Sequence, residues 1–210
     1  MTDYYPEMNS ENTALLVIDI INSCCHIQCE IPEWKIHFSK IRGMVPKLVD
    51  FIDEYRNKVN QHVILTKTVP WQKEYLPQNI NILYTDPKVV YYTKDKSSFP
   101  QDFYQLEAKP SDLVVAKKHY DAFTSSKIHN YLSANKIRYV VVTGVFGDGC
   151  VLASICGGFA KGFNLVILED LIETTDDPIR QDIQSGLKKY TWPVMYGRTI
   201  NSKDLKRHFN

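Results

Sequence analysis

The 210-residue chain has no apolar run approaching the ~20 residues that a membrane-crossing helix needs, so no membrane partner is expected. It has no excess of one charge either. Its 25 Lys and Arg stand against 24 Asp and Glu, a formal net charge of +1 at pH 7, and the basic residues are scattered. A nucleic-acid surface needs a basic stripe, so nucleic-acid binding is not expected. Cysteine is sparse and odd in number, at positions 24, 25, 29, 150 and 156, with two adjacent. That makes a poor disulfide framework. The cluster CCHIQC (24–29) offers Cys24 or Cys25, His26 and Cys29 to a metal, but no second Cys/His pair completes a tetrahedral set. The opening MTDYYPEMNSEN is polar and acidic, unlike a secretory signal, which sets the expectation of a cytoplasmic protein.

Linkers, repeats and low-complexity tracts are also missing, and residues 1–210 read as one domain. A chain of this size buries a core without disulfide or metal staples. What is present is alternation. Apolar, β-branched runs at 13–21, 62–68, 112–117, 138–144 and 163–170 read as strands, and WPVMY (192–196) as a short last one. Helical spacing falls at 38–58, interrupted by Pro46, and at 127–136, 150–162 and 177–190. Residues 69–111 carry prolines at 70, 77, 87, 100 and 110 around an apolar island VVYY, and read as a long excursion that shapes a pocket. No hairpin dipeptide joins two strands. The expected fold is therefore a three-layer α/β/α domain around a mainly parallel sheet.

In such sheets ligands bind beyond the carboxyl ends of the strands, where strand order reverses. That edge receives Asp19 from the first strand, Lys117 and Lys118 from the third, and Cys150 from the turn after the fourth. The turn lies in TGVFGDGCVLASICGG (143–158). Gly144 to Gly149 fits the spacing of a phosphate loop, but Cys150-Val151 stand where that loop needs Lys and Ser or Thr. The dinucleotide pattern fails as well, with Leu152 at its third glycine position. A thiol at a helix N-terminus, beside a carboxylate and a lysine, is a better fit to nucleophilic chemistry. The helix dipole and the lysine are expected to favour thiolate, and backbone N–H groups of the turn to receive an oxyanion.

Three blocks resemble the isochorismatase-like cysteine hydrolases. ALLVIDIIN (14–22) looks like the opening strand with its aspartate, KKHYDAF (117–123) like the K-x-x-Y-x-A-F block, and GVFGDGCVLASICGGFAKGF (144–163) like the nucleophile segment. The resemblance implies a six-stranded sheet in order 3-2-1-4-5-6 and assigns the lysine to Lys117. It implies Asp19 as base and then acid, Lys117 as electrostatic partner, Cys150 as nucleophile, and an oxyanion hole from the N–H groups of Phe146 and Cys150. It further implies a cis Val145–Phe146 peptide and a homo-oligomer, a dimer or tetramer.

The departures narrow the expectation. Ile21 stands where an I-D-x-Q-N pattern has glutamine, and Ser154 replaces the usual threonine. Gly157 and Gly158 lie inside a helix, where each costs about 1 kcal/mol relative to alanine. The D-x-H…H metal site of nicotinamidases is absent from TKTVPWQKEYLPQN, so no metal and no cofactor are expected. The substrate expected is a small amide or an N-carbamoyl (ureido) compound, cleaved at a C–N bond through a thioester. Trp71, Phe123 and Phe146 are candidates for the pocket wall. The missing glutamine and the glycine pair leave a second reading, a catalytically silent relative that binds or scaffolds.

Overall fold

A computed structural model describes residues 5–85 and 97–209. Its strands are β1 (Thr13–Ile18), β2 (Val63–Thr68), β3 (Leu113–Lys117), β4 (Tyr139–Val145), β5 (Asn164–Glu173) and β6 (Gly197–Ile200). Its helices are α1 (Asn22–Cys25), α2 (Ser39–Lys58), α3 (Gln78–Thr85), α4 (Ser126–Ala134), α5 (Leu152–Ala160), α6 (Pro178–Gly186) and α7 (Ser202–Phe209). The strands form one sheet in the order β3-β2-β1-β4-β5-β6, and every pairing in it is parallel.

Parallel strands buried on both sides send alternate residues to opposite faces, which is why they read as unbroken apolar runs. Leu15, Val17, Val141, Val166 and Leu168 face a core closed by α2 and by Leu205 of α7. Ala14, Leu16, Ile18, Val140, Val142 and Ile167 face a second core, closed by α4, α5 and Trp192. The layers are therefore α/β/α. Helix α2 runs unbroken through Pro46.

Two boundaries differ from the sequence expectation. The first strand stops at Ile18, because Asp19 turns into the left-handed region with φ 53°. WPVMY is not a strand. It ends a helical stretch, Leu187–Tyr196, in which Trp192 is fully buried while Val194 and Met195 are exposed. A short apolar run does not distinguish strand from buried helix, and here Trp192 alone of the five is fully buried, with Tyr196 partly packed on the same core. The last strand starts instead at Gly197, where a Cβ would lie 2.4 Å from the Leu165 carbonyl oxygen. Within residues 69–111 the chain forms α3 and a 3-10 turn, Phe99–Gln101; VVYY (89–92) lies outside the described residues.

The glycine pair of α5 has a packing cause. A Cβ on Gly157 would meet the Asp121 carboxylate at 2.2 Å, and one on Gly158 the Phe123 ring at 2.8 Å. Both press α5 onto the turn that follows β3, which brings the cysteine end of α5 close to the lysine strand. Gly43 of α2, by contrast, has nothing within 4 Å of its Cβ position. Gly158→Ala is therefore expected to lower stability by about 1–3 kcal/mol through overpacking, despite the helix propensity it gains. Gly43→Ala should raise stability by up to about 1 kcal/mol. Urea unfolding of both variants checks this, and a Gly158→Ala protein as stable as Gly43→Ala would remove the packing argument.

Candidate active site

The carboxyl ends of β1, β3 and β4 converge on one cluster. Lys117, the last residue of β3, crosses above β2 to reach Asp19, just past β1. The two side chains are buried, and Lys117 Nζ lies 2.7 Å from Asp19 Oδ2. Thr66 of the intervening β2 donates its hydroxyl to Asp19 Oδ1 at 2.9 Å. Lys117 Nζ also donates to the His119 carbonyl at 3.1 Å and to Cys150 Sγ at 3.3 Å. An ammonium has three donors, and carboxylate, carbonyl and sulfur take all three. Lys118 is exposed, so the lysine of the site is the one that the resemblance selected.

Cys150 lies in the tight turn Gly147–Val151 that leads into α5. The Val145–Phe146 peptide before it is cis. The Phe146 carbonyl accepts from the Gly149 and Val151 N–H groups, on either side of Cys150. Gly144 admits the approach of β4 to Ile18, since its φ is +113° and a Cβ would sit 2.2 Å from the Ile18 oxygen. Ser154 donates to the Cys150 carbonyl at 2.7 Å and accepts from the Ala122 N–H at 2.9 Å. The serine found where threonine is usual thus ties the thiol turn to the lysine strand.

Two electrostatic effects compete at the sulfur. Burial pushes the Cys150 thiol up to about 12; the Lys117 charge opposes this, and the Asp19 charge and hydrogen bond add to it. The expected lowering by helix dipole and lysine is outweighed, and the thiol holds its proton at neutral pH. At Lys117 burial works against the charge, but Asp19 and Cys150 overcome it and raise the ammonium above its ordinary value.

Asp19 and Cys150 of the cluster line a cavity of about 740 Å³. Of the aromatic residues singled out in the sequence, Trp71 and Phe146 line it. Phe123 does not: it is buried in the second core against Phe163 and beneath Gly158. Its ring is taken up by packing because the turn carrying it points beneath α5. Sequence reasoning missed Phe38, stacked 6.0 Å from Phe146, and Tyr120, stacked 6.1 Å from Trp71. Both line the cavity. Cys24 and Cys29 also reach it, whereas Cys25 is fully buried. Among the described residues no group of three or more His, Cys, Asp or Glu is placed to hold a metal.

Asp148, in the same turn, accepts from Arg180 Nε at 2.7 Å and Nη2 at 2.8 Å, and from the Thr174 hydroxyl. The same guanidinium lies 4.8 Å from the Phe146 ring centroid. These contacts tie the thiol turn to α6 across 32 residues of sequence, and Arg180 itself lines the cavity. No local pattern announces such a pair.

An isochorismatase domain model matches residues 13–196. The uncharacterised isochorismatase family protein YaaI of Bacillus subtilis is 19% identical over 170 residues, 81% of this chain and 85% of that protein. The ureidoacrylate amidohydrolase RutB of Cronobacter sakazakii is 31% identical over 77 residues, 37% of this chain and 33% of that one. A cysteine hydrolase from Pseudomonas syringae superposes with a TM-score of 0.75 at 17% identity, covering 96% of this chain and 94% of the other. An N-carbamoylsarcosine amidase from Thermoplasma acidophilum gives 0.62 at 20% identity, covering 93% and 97%. With the family model spanning most of the sequence and the same fold in these structures, the chain belongs to the isochorismatase family of hydrolases.

Proposed function

We propose that the protein is a cysteine-dependent hydrolase that cleaves a C–N bond of a small amide or N-carbamoyl (ureido) compound. The observation that carries this reading is the buried contact of Asp19, Lys117 and Cys150, with the lysine within 2.7 Å of the carboxylate and 3.3 Å of the sulfur. The partial likeness to a ureidoacrylate amidohydrolase supports the substrate class.

Burial opposes loss of the thiol proton to bulk water. That loss leaves an extra negative charge in a buried site. Transfer to Asp19 is different, because carboxylate, ammonium and thiol sum to zero before it, and carboxylic acid, ammonium and thiolate sum to zero after it. Burial penalises net charge far more than its internal rearrangement. Asp19 thus takes the proton as sulfur attacks the carbonyl carbon. The oxyanion forms against the N–H groups of Phe146 and Cys150. Asp19 then returns the proton to the departing nitrogen, the C–N bond breaks, and a thioester remains on Cys150. Water, deprotonated by Asp19, attacks the thioester, and the proton returns to sulfur as the acid leaves. Lys117 stays charged throughout.

Ammonia release over a panel of small amides and ureido acids tests the reading. Cys150→Ala is expected to reduce turnover at least about a thousandfold. Mass spectrometry of quenched wild type should find the acyl group on Cys150. Turnover that survives Cys150→Ala on every substrate would end the proposal.

The signs of the two charge effects give a second test. Lys117 pulls the thiol value down and Asp19 pushes it up, so Asp19→Asn should move the pH profile of Cys150 alkylation by iodoacetamide to lower pH. Lys117→Met should move it higher. Asp19→Asn should nonetheless lose turnover, because the nitrogen then leaves without a proton. Profiles that move in the same direction in both variants would refute the charge assignment.

A further inference from the structure

We propose that the outward face of the helix formed by α6 and its continuation, residues 178–196, is a self-association surface. On it a second copy of this chain packs antiparallel, about a two-fold axis at Gly186.

The helix is amphipathic in the inverted sense. Its inward row is polar: Arg180 bonds Asp148, Gln184 donates to Glu173 Oε1 at 2.7 Å, and Lys188 donates to the Ile172 carbonyl at 2.8 Å. Trp192 is the one fully buried apolar side chain it supplies. Its outward row carries Ile179, Ile183, Tyr190 and Val194, from 49% to 70% exposed. A helix on the surface of a single chain turns its apolar stripe to the core and its charges to water. Here the stripe faces away. Met195 and Phe159 of α5, the latter edge-to-face on Tyr196 at 5.5 Å, continue the exposed apolar surface. Monomeric proteins rarely leave an apolar patch of more than a few hundred Å² to water.

The arrangement of the stripe selects its occupant. The helix passes without a break through Gly186, which is itself helical at φ −62° and ψ −41°. Nothing lies within 4 Å of a Cβ built there. Neither a turn nor the packing of this chain calls for glycine, the poorest helix former after proline. A bare backbone does let a second helix approach closely. Ile183 and Ile179 stand three and seven residues before Gly186, and Tyr190 and Val194 four and eight after it. The stripe therefore reads nearly alike in both directions. An isologous contact needs that property, because each position meets on the other copy the position equally far beyond the axis.

Charge favours the same pairing. Asp182 and Lys189 are the charged residues among the exposed positions of this helix, and helical spacing puts both on one flank of the stripe. They stand four residues before and three after Gly186. Antiparallel packing about Gly186 thus sets Asp182 within about 1.5 Å of level with the partner's Lys189, and the two-fold repeats the pair. Parallel packing, or a shift by one turn, loses the match. A membrane is a poorer occupant, since interfacial helices carry a basic face and these exposed charges sum to zero. The inward row links the surface to the cavity, because Arg180 lines it and holds Asp148 of the thiol turn.

Sedimentation equilibrium of the full chain tests this. Wild type at micromolar concentration is expected at twice the chain mass of 24.3 kDa, or at a larger even multiple. Ile183→Glu should raise the dissociation constant about thirtyfold or more, taking a dimer to monomer or a tetramer to dimer. Asp182→Lys should weaken association about tenfold or more, since lysine then faces lysine twice. Asp182→Lys with Lys189→Asp should recover the wild-type constant to within about threefold. Both positions face solvent in the single chain, so circular dichroism should stay that of wild type. If Ile183→Glu fails to fold, the charge swap decides. A monomer at all concentrations overturns the proposal, as does a dimer unchanged by Ile183→Glu, which must use another face. A double variant no tighter than Asp182→Lys overturns the antiparallel pairing. Monomer that binds vesicles of phosphatidylcholine and phosphatidylserine, and no longer does so as Ile183→Glu, assigns the stripe to a membrane and overturns the second copy.

Discussion

The buried ammonium of Lys117 is the constraint on which the site depends. A lone ammonium in the interior is very costly, and removing one member of a buried ion pair typically destabilises by 3–5 kcal/mol. Lys117 avoids this through the Asp19 carboxylate at 2.7 Å and two further acceptors. Each acceptor comes from a different place: the exit of β1, the chain after β3, and the turn after β4. Satisfying one cation therefore fixes three segments relative to one another. The sheet order makes this possible, because β3 and β4 flank the β2-β1 pair and a lysine is long enough to reach across.

The same economy governs the thiol turn. It is held by Ser154 and the Phe146 carbonyl, and by the bonds of Asp148 to Arg180 and Thr174. Glycine allows both approaches. Gly144 lets β4 touch the Ile18 carbonyl, and Gly157 and Gly158 let α5 close on the Asp121–Phe123 turn. Residues that look expensive in a helix are thus the condition for bringing Cys150 to Lys117. The propensity cost lies in local structure, and its compensation lies in tertiary packing.

Strand runs, the parallel sheet, and the position of Asp19, Lys117 and Cys150 on one sheet edge were legible in the sequence from periodicity, strand ends and motif spacing, while the strand order came only from the family resemblance. Phe123 shows the limit. An aromatic in a motif block gives no sign of which side of its turn it occupies, and here it fills the core. WPVMY failed for a related reason, since one buried tryptophan carries no period. The Arg180–Asp148 clamp joins residues far apart in sequence, through side chains whose types are common on any surface. Only the folded chain brings them together.

The proton on Cys150 links these levels. Burial, which gives Lys117 and Asp19 their strong mutual attraction, is also what raises the thiol to about 12. A more open site would ionise the sulfur more readily, but it would weaken the Lys117–Asp19 pair. In the proposed mechanism the buried site keeps the sulfur neutral until an electrophilic carbon is in place, and Asp19 accepts the proton at that moment. Oxidation and alkylation proceed through the thiolate, so the same arrangement protects the sulfur. Selectivity, on that mechanism, rests on what the cavity can hold against the sulfur, which moves the weight of recognition from the reactive atoms to the cavity wall.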